Sequence, residues 1–249
     1  MTASLPVLSL IIPVRNGAEF LPHTLGELRA FMMREPCAEV VLVDDGSEPR
    51  TAALLAAFAC DQPRVTLLVH EVNQGKGAAV ARGMLAARGR VRVFTDADLA
   101  YPLDQLPAVC AAIDQGSEVA IACRVLGESR YLMSPTFFHY LYTRHLLSRA
   151  YNAVVRWTLL PGILDSQAGL KAFSARAAEV IFPRMTIRGF GFDVEALLIA
   201  RRHGLETVQV PVHFRYDSEP TTVRLAQDGG TLLSDLARIR WNDLRGRYR

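Results

Sequence analysis

Four short apolar runs in the first half of the chain, at residues 7–14, 39–43, 65–70 and 90–95, are each followed by a stretch of helical spacing. Those stretches fall at 19–34, 49–60, 76–88 and 103–115, and a fifth strand-like run follows at 118–122. A strand that is apolar throughout is buried on both faces. Strands separated by amphipathic helices run parallel, because each helix carries the chain back across the sheet. The pattern predicts an α/β fold, a Rossmann-like, mostly parallel central sheet flanked by helices.

Ligands of such sheets bind in the crevice outside the carboxyl ends of the strands, so those ends carry the functional information. The fourth run ends in Thr95-Asp96-Ala97-Asp98. Side chains alternate along a strand, so Asp96 and Asp98 are expected to point together into the crevice. Like charges held that close are tolerated when a proton or a cation sits between them. A hard divalent cation with oxygen ligands, Mg²⁺ or Mn²⁺, suits the pair.

The second run ends in Asp44-Asp45-Gly46-Ser47. A carboxylate there can accept hydrogen bonds from a base N–H or from ribose hydroxyls, while Gly46 permits close approach. Asp45 and Ser47 can equally cap the following helix. The third run leads into Asn73-Gln74-Gly75-Lys76-Gly77, where the amides of a helix start, with Lys76, can hold a diphosphate. The segment lacks the upstream glycine and following Ser/Thr of an ATPase-type phosphate loop, and the glycine of a dinucleotide fingerprint.

The rhythm changes after Cys123. Residues 135–160 interleave rings and guanidinium groups: Phe137, Phe138, Tyr140, Tyr142, Arg144, Arg149, Tyr151, Arg156 and Trp157. A short polar turn and strand are expected over 165–173, a strand at 207–215, and helices at 175–182, 191–203 and 231–245. From Arg238 onward the chain carries Arg238, Arg240, Arg245, Arg247 and Arg249 against Asp243 alone. Such a tail suits an anionic partner, a membrane surface or nucleic acid, or is simply a solvated helix end. No nucleic-acid-binding motif accompanies it. Cys37, Cys60, Cys110 and Cys123 have neither paired nor metal-type spacing and read as buried thiols of a reducing compartment. The six histidines form no ligand-spaced pair.

Taken in order, DDGS, NxGKG and DAD resemble the strand-end motifs of the inverting nucleotide-sugar glycosyltransferases of family two, which have the GT-A fold. The resemblance covers at least residues 7–122. It implies a nucleotide-sugar donor lying against Pro13, Arg15, Asp44, Asp45, Gly46, Ser47, Asn73, Gly75, Lys76 and Ala97, with Asp96 and Asp98 serving the metal–diphosphate. The segment Asp165-Ser166-Gln167-Ala168-Gly169-Leu170-Lys171-Ala172-Phe173 is similar to the DTQCGFKLF segment of dolichyl-phosphate glucosyltransferases. Residues 191–197 look like their WAFDVELL segment, and Ser148-Arg149-x-x-Asn152 resembles a stretch of the related mannosyltransferases. By that likeness Arg124 and Arg149 clamp the phosphate of a polyprenyl-phosphate acceptor. Ser148, Asn152, Gln167, Lys171, Asp193, Glu195 and Arg224 line the acceptor side.

The expected organisation is one domain over 1–249, with 1–123 as the nucleotide-sugar-binding half and 124–249 as the acceptor-binding half. The mannosyl enzymes carry a glutamine where Ala100 stands, so the donor leans toward UDP-glucose over GDP-mannose. No apolar stretch approaches the ~18–20 residues that span a bilayer, nor does the N-terminus read as a signal peptide. The expectation is a cytoplasmic protein that meets its lipid peripherally, on the cytosolic face of a membrane. Two other readings share the donor motifs. One is transfer to a hydroxyl, which needs a base such as Asp193 or Glu195; the other is a non-catalytic nucleotide-sugar binder.

Overall fold

The computed structural model describes residues 6–133, 138–216 and 225–249, of which 131–133, 138–147, 216 and 225–229 are described by their backbone alone. Strand β1 (Leu8–Val14) pairs in parallel with β2 (Ala38–Asp45) on one side and β4 (Val91–Thr95) on the other. Beyond β2 lies β3 (Val65–His70), also parallel. Helices α1 (Leu21–Arg34), α2 (Pro49–Asp61), α3 (Lys76–Ala86) and α4 (Leu106–Asp114) make the connections. Three of them carry proline in the first turn, where its missing N–H leaves no helical bond unmade.

Strands β5 (Val119–Cys123) and β8 (Thr207–Pro211) continue the parallel sheet, and β7 (Leu170–Ser174) enters it antiparallel, between β4 and β5. The order is β3-β2-β1-β4-β7-β5-β8. Helices α5 (Phe138–Thr158), α6 (Ala175–Ile181), α7 (Phe192–Arg202) and α8 (Leu225–Leu244) belong to the second half. A separate parallel ribbon joins β6 (Arg130–Met133) to β9 (His213–Tyr216). The single strand expected at 207–215 is thus two, serving different sheets on either side of buried Val212.

The pleat divides the interior. Leu10, Ile12 and Val14 face one core, with Leu28 of α1, Leu55 of α2 and Val109 of α4. Ile11 faces the other, with Val80 of α3, Ile181 of α6 and Ile199 of α7. The third apolar run, expected as a buried strand, is instead the sheet edge, with Val69 51% exposed. The cysteines are all free, and Cys37 and Cys60 are exposed rather than buried, since they fall outside the core-facing stripes.

One register positions the site. Leu170 stands opposite Thr95, so the turn that feeds antiparallel β7 arrives where parallel β4 releases Asp96. The strand order also reverses between β1 and β4, which opens a crevice at their carboxyl ends.

Candidate active site

Asp96 and Asp98 do meet at that crevice, by a different route from the expected one. β4 stops at Thr95, and the next residues turn, with the Leu99 N–H donating to the Asp96 carbonyl at 3.1 Å. Leu99 sits at φ +50°, in the left-handed region that a leucine adopts only when its surroundings insist. What insists is packing: Leu99 is buried, and the Thr24 hydroxyl of α1 donates to the Ala97 carbonyl at 2.7 Å. A turn, and not the pleat of a strand, therefore brings the carboxylates near one another.

Lys76, on the first turn of α3, places Nζ 2.5 Å from Asp96 Oδ1. Burial pulls the Lys76 ammonium down, but Asp96, Asp193 and Asp98 more than offset this and hold it above its ordinary range. Asp98, whose Oδ1 accepts from the Ala100 N–H at 3.1 Å, is raised by burial and then by the Asp96 charge. Beneath them Lys171, fully buried, donates to Asp193 Oδ1 and to the Ala168 carbonyl, both at 2.6 Å. Burial draws both partners toward neutrality: it lowers Lys171 and raises Asp193, each against the other's charge. Three carboxylates thus share two ammonium groups.

That residual negative charge fits a hard divalent cation, since the Asp96 charge still raises Asp98 although Lys76 is paired with Asp96. No third His, Cys, Asp or Glu joins them as a ligand set among the described residues. A cation held by Asp96 and Asp98 would therefore take its other ligands from phosphate oxygens and water, as Mg²⁺ commonly does.

The donor-side loops are built differently from expectation. Asp45 Oδ1 accepts from the Gln74 N–H at 2.8 Å and faces His70 Nδ1 at 2.7 Å, while its Oδ2 accepts from the Gly75 N–H at 2.9 Å. Asp45 is 3% exposed and pins the 73–76 loop, and no side chain caps α2. Nor do the amides of α3 form an open diphosphate cradle. The N–H groups of Gly77 and Ala78 both donate to the Arg188 carbonyl, at 2.7 and 3.3 Å. Glycine is needed at 75 for this approach: φ is +99°, and a Cβ would stand 3.0 Å from that carbonyl carbon and closer still to its oxygen. Of the anion-binding features in this segment, Lys76 remains.

Asp44 is buried and accepts from the Ser47 N–H at 2.9 Å, closing the turn that contains Gly46 at φ +68°. Ser47 Oγ accepts from the Asn16 N–H, and Asn16 Oδ1 from the Glu48 N–H, so the loop after β1 is stapled to the loop after β2. Pro13 is half-buried in β1, and Arg15 and Asn73 are exposed at the crevice rim.

On the acceptor side several of the expected residues have partners within the protein. Arg124 Nε and Nη2 close on the two oxygens of Asp165 at 2.7 and 2.8 Å. That forked edge braces the end of β5 against the turn before β7. Asn152 is buried and accepts from the Ser166 N–H and Oγ, while its amide donates to the Ser148 carbonyl; it positions the same turn. Glu195 is fully buried, and its oxygens accept from the amides of Thr186 and Ile187 and from the hydroxyls of Thr186 and Tyr248. These bonds engage both of its oxygens within the protein. Lys171 likewise serves Asp193 from inside. Gln167 is half-buried on the 165–169 turn, and Arg149 is exposed on α5. Arg224 and Phe137 lie outside the described residues, and Phe138, Tyr140, Tyr142 and Arg144 are described by backbone alone.

Residues that sequence reasoning passes over include Thr24, His70 and Tyr101. The Tyr101 ring is buried, with its phenol raised by burial against the nearby Arg124 charge. Its hydroxyl finds no hydrogen-bond partner among the described residues.

Asp165 leads to a prediction about acid stability. Burial pushes its carboxyl up, but the charge and hydrogen bonds of Arg124 outweigh this and hold it below the ordinary 3.8. A depressed carboxylate contributes stability above its unfolded pKa and loses it as pH falls through the lower folded value. Asp165→Asn should therefore lower the urea midpoint at pH 7, and the gap from wild type should narrow below about pH 3.8. A gap independent of pH would detach the effect from titration.

The profile described as Glycosyl transferase family 2 matches residues 9–174. Dolichyl-phosphate beta-glucosyltransferase ALG5C of Trichomonas vaginalis is 28% identical over 212 residues, covering 83% of this chain and 63% of that protein. Dolichyl-phosphate beta-glucosyltransferase of Dictyostelium discoideum is 28% identical over 256 residues, covering 96% of this chain and 75% of that protein. The chain thus spans 63–75% of the length of these relatives. Among solved structures, glucosyl-3-phosphoglycerate synthase from Mycobacterium tuberculosis, in complex with Mn²⁺, UDP and glucosyl-3-phosphoglycerate, superposes with a TM-score of 0.67 at 19% identity. That likeness covers 95% of this chain and 80% of the other.

Proposed function

The chain belongs to glycosyl transferase family 2 and has the GT-A fold, and from that premise we propose that it moves glucose from UDP-glucose to a polyprenyl phosphate such as dolichyl phosphate. An acceptor phosphate oxygen forms a bond to the anomeric carbon from the face opposite the departing diphosphate. The bond from that carbon to the diphosphate oxygen breaks, and configuration inverts. A phosphate monoester has its second pKa near ~6, so it arrives largely dianionic and no side chain need remove a proton.

The observation that carries the choice of acceptor is the occupation of both candidate bases. Transfer to a hydroxyl requires one, yet Asp193 is bonded to Lys171 and Glu195 is sealed among Thr186, Ile187 and Tyr248. A nucleophile that needs no base suits this site. The names of the curated relatives support the lipid phosphate and the glucose.

Asp96 and Asp98 would hold a divalent cation, which when bound neutralises charge on the leaving diphosphate. Lys76 adds a fixed positive charge and keeps the Asp96 carboxylate in place. Arg149, exposed on α5, is the remaining candidate for the acceptor phosphate among the described residues. Ala100 presents only a methyl where the mannosyl relatives have a metal ligand, which supports the glucosyl donor.

The deciding experiment incubates the protein with Mg²⁺ or Mn²⁺, labelled UDP-glucose or GDP-mannose, and a polyprenyl phosphate. Label from UDP-glucose should enter the organic phase in a metal-dependent manner. Label that moves only to a water-soluble acceptor would sink the lipid-phosphate reading, and label from GDP-mannose alone would overturn the donor.

Access to the lipid is proposed to run along α8, on the cytosolic face of a membrane. No helix among the described residues is long and apolar enough to cross one. Helix α8 turns Leu236 and Ile239 inward and leaves Leu233, Trp241 and Leu244 at 60%, 55% and 67% exposure, beside Arg240 and Arg245. Rings and guanidinium groups so arranged suit the headgroup boundary. Replacing Leu233, Trp241 and Leu244 together by serine should reduce flotation with anionic liposomes several-fold. Undiminished flotation would clear this face.

A further inference from the structure

A second cavity, of about 430 Å³, lies on the outer side of α3 and shares no carboxylate with the Asp96 site. Its walls come from the start of α3, from residues 185–188, and from the C-terminal segment. Three arginines line it: Arg188 from residues 185–188, and Arg238 and Arg247 from the C-terminal segment. No Asp or Glu is among the lining residues, and none of the three forms an ion pair among the described residues. The acid that acts on Arg238 is Asp235, one turn earlier on α8, and it does not line the cavity.

Guanidinium groups gathered round one concavity whose lining holds no carboxylate are arranged for an anion. Their planar forks match phosphate oxygens in pairs. The fold fixes the backbone that carries these arginines. Tyr248 is 1% exposed, and its hydroxyl donates to Glu195 Oε1 at 2.6 Å, which fixes the chain beside Arg247. Glu195 Oε2 accepts from the amides of Thr186 and Ile187, both at 2.8 Å, which fixes the chain beside Arg188. Asn242 donates to both Thr186 Oγ1 and the Tyr248 hydroxyl, locking the two stretches together.

We propose that this cavity is a binding site for a phosphate monoester, separate from the donor crevice. The same chemistry is offered by a free sugar or glycerol phosphate and by the headgroup of an anionic lipid lying along α8. The occupant would act on the donor site through backbone: the Arg188 carbonyl that takes the Gly77 and Ala78 amides is attached to a lining residue, and Lys76 is the next residue along.

The test measures binding and needs no transfer activity, so it stands apart from the proposed reaction. Glycerol 3-phosphate is titrated calorimetrically into the full chain with UDP and Mn²⁺ present throughout. In parallel, phosphatidylcholine vesicles with and without phosphatidic acid are sedimented with the protein. Arg238→Gln/Arg247→Gln should weaken binding by about 10-fold or more, as expected for the loss of charge-assisted bonds. Both arginines are exposed, so the fold should persist; Arg188→Gln is the second variant should the first melt early. Arg34→Gln/Arg50→Gln removes the same charge from α1 and α2, away from the cavity and from α8, and should leave binding close to wild type. Cavity-dependent binding of glycerol 3-phosphate identifies a free phosphate ester as sufficient. Cavity-dependent binding of phosphatidic acid vesicles alone identifies the lipid headgroup. Binding of neither probe, or equal losses in the two double variants, overturns the site.

Discussion

Gly169→Ala should lower kcat/KM at least ~100-fold while leaving the protein folded. A Cβ at this position would lie 2.9 Å from Asp96 Cγ and closer still to its Oδ2. The Gly169 backbone is outside the left-handed region, so alanine is acceptable there in itself. What must give is the Asp96 carboxylate, the end of a short side chain that can swing at small energetic cost. Swinging it away breaks the 2.5 Å pair with Lys76 and displaces one of two proposed cation ligands. Misplacement of a reacting group by about 1 Å can reduce rate ~10²-fold. Asp98→Asn should match that loss without moving the turn, and the urea midpoint of each variant should stay within about 0.5 M of wild type. Steady-state kinetics beside urea denaturation reads both quantities. Should Gly169→Ala retain wild-type turnover, Asp96 has no positional role in transfer.

The same pair of residues shows where sequence is informative. The repeating apolar runs and helical stretches predict the parallel core, because both periodicities are local. The two carboxylates after the fourth run are legible too, since a buried strand that ends in DAD has few bland explanations. Gly169 is not legible in this way. Its need for a bare backbone comes from a contact with Asp96, created when β7 enters antiparallel beside β4, and strand order leaves no mark in local periodicity. The acceptor-side partners are hidden for a related reason. Asp193 and Glu195 appear in sequence as acids on a helix start, open to any chemistry. Their partners, Lys171 and Tyr248, are brought to them by tertiary packing, and each partner removes one acid from the set of available bases. Arg124 follows the same rule, since its fork is taken by Asp165.

Glu195 carries the second large expectation, on stability. Its carboxylate is fully buried and accepts four hydrogen bonds, from Thr186 N at 2.8 Å, Ile187 N at 2.8 Å, Thr186 Oγ1 at 2.7 Å and Tyr248 Oη at 2.6 Å. Glu195→Ala would leave two amides and two hydroxyls without that acceptor where water enters with difficulty. Each buried orphan costs ~1–3 kcal/mol, and partial rescue by neighbours such as Asn242 brings the sum to about 4 kcal/mol. That loss should lower the urea midpoint by more than about 1 M. Glu195→Gln keeps one acceptor oxygen but turns an NH₂ toward donors, so it should fall between alanine and wild type. Tyr248→Phe removes one bond and should lose only ~1 kcal/mol. The order Ala, Gln, then Phe distinguishes a network centred on the carboxylate from simple loss of volume, which would leave Gln near wild type. Because residues 186–188 also carry the carbonyl that holds the first turn of α3, Tyr248→Phe should weaken UDP binding several-fold. Unchanged UDP affinity in a variant that melts early would confine the C-terminal clasp to stability, and separate it from the placement of Lys76.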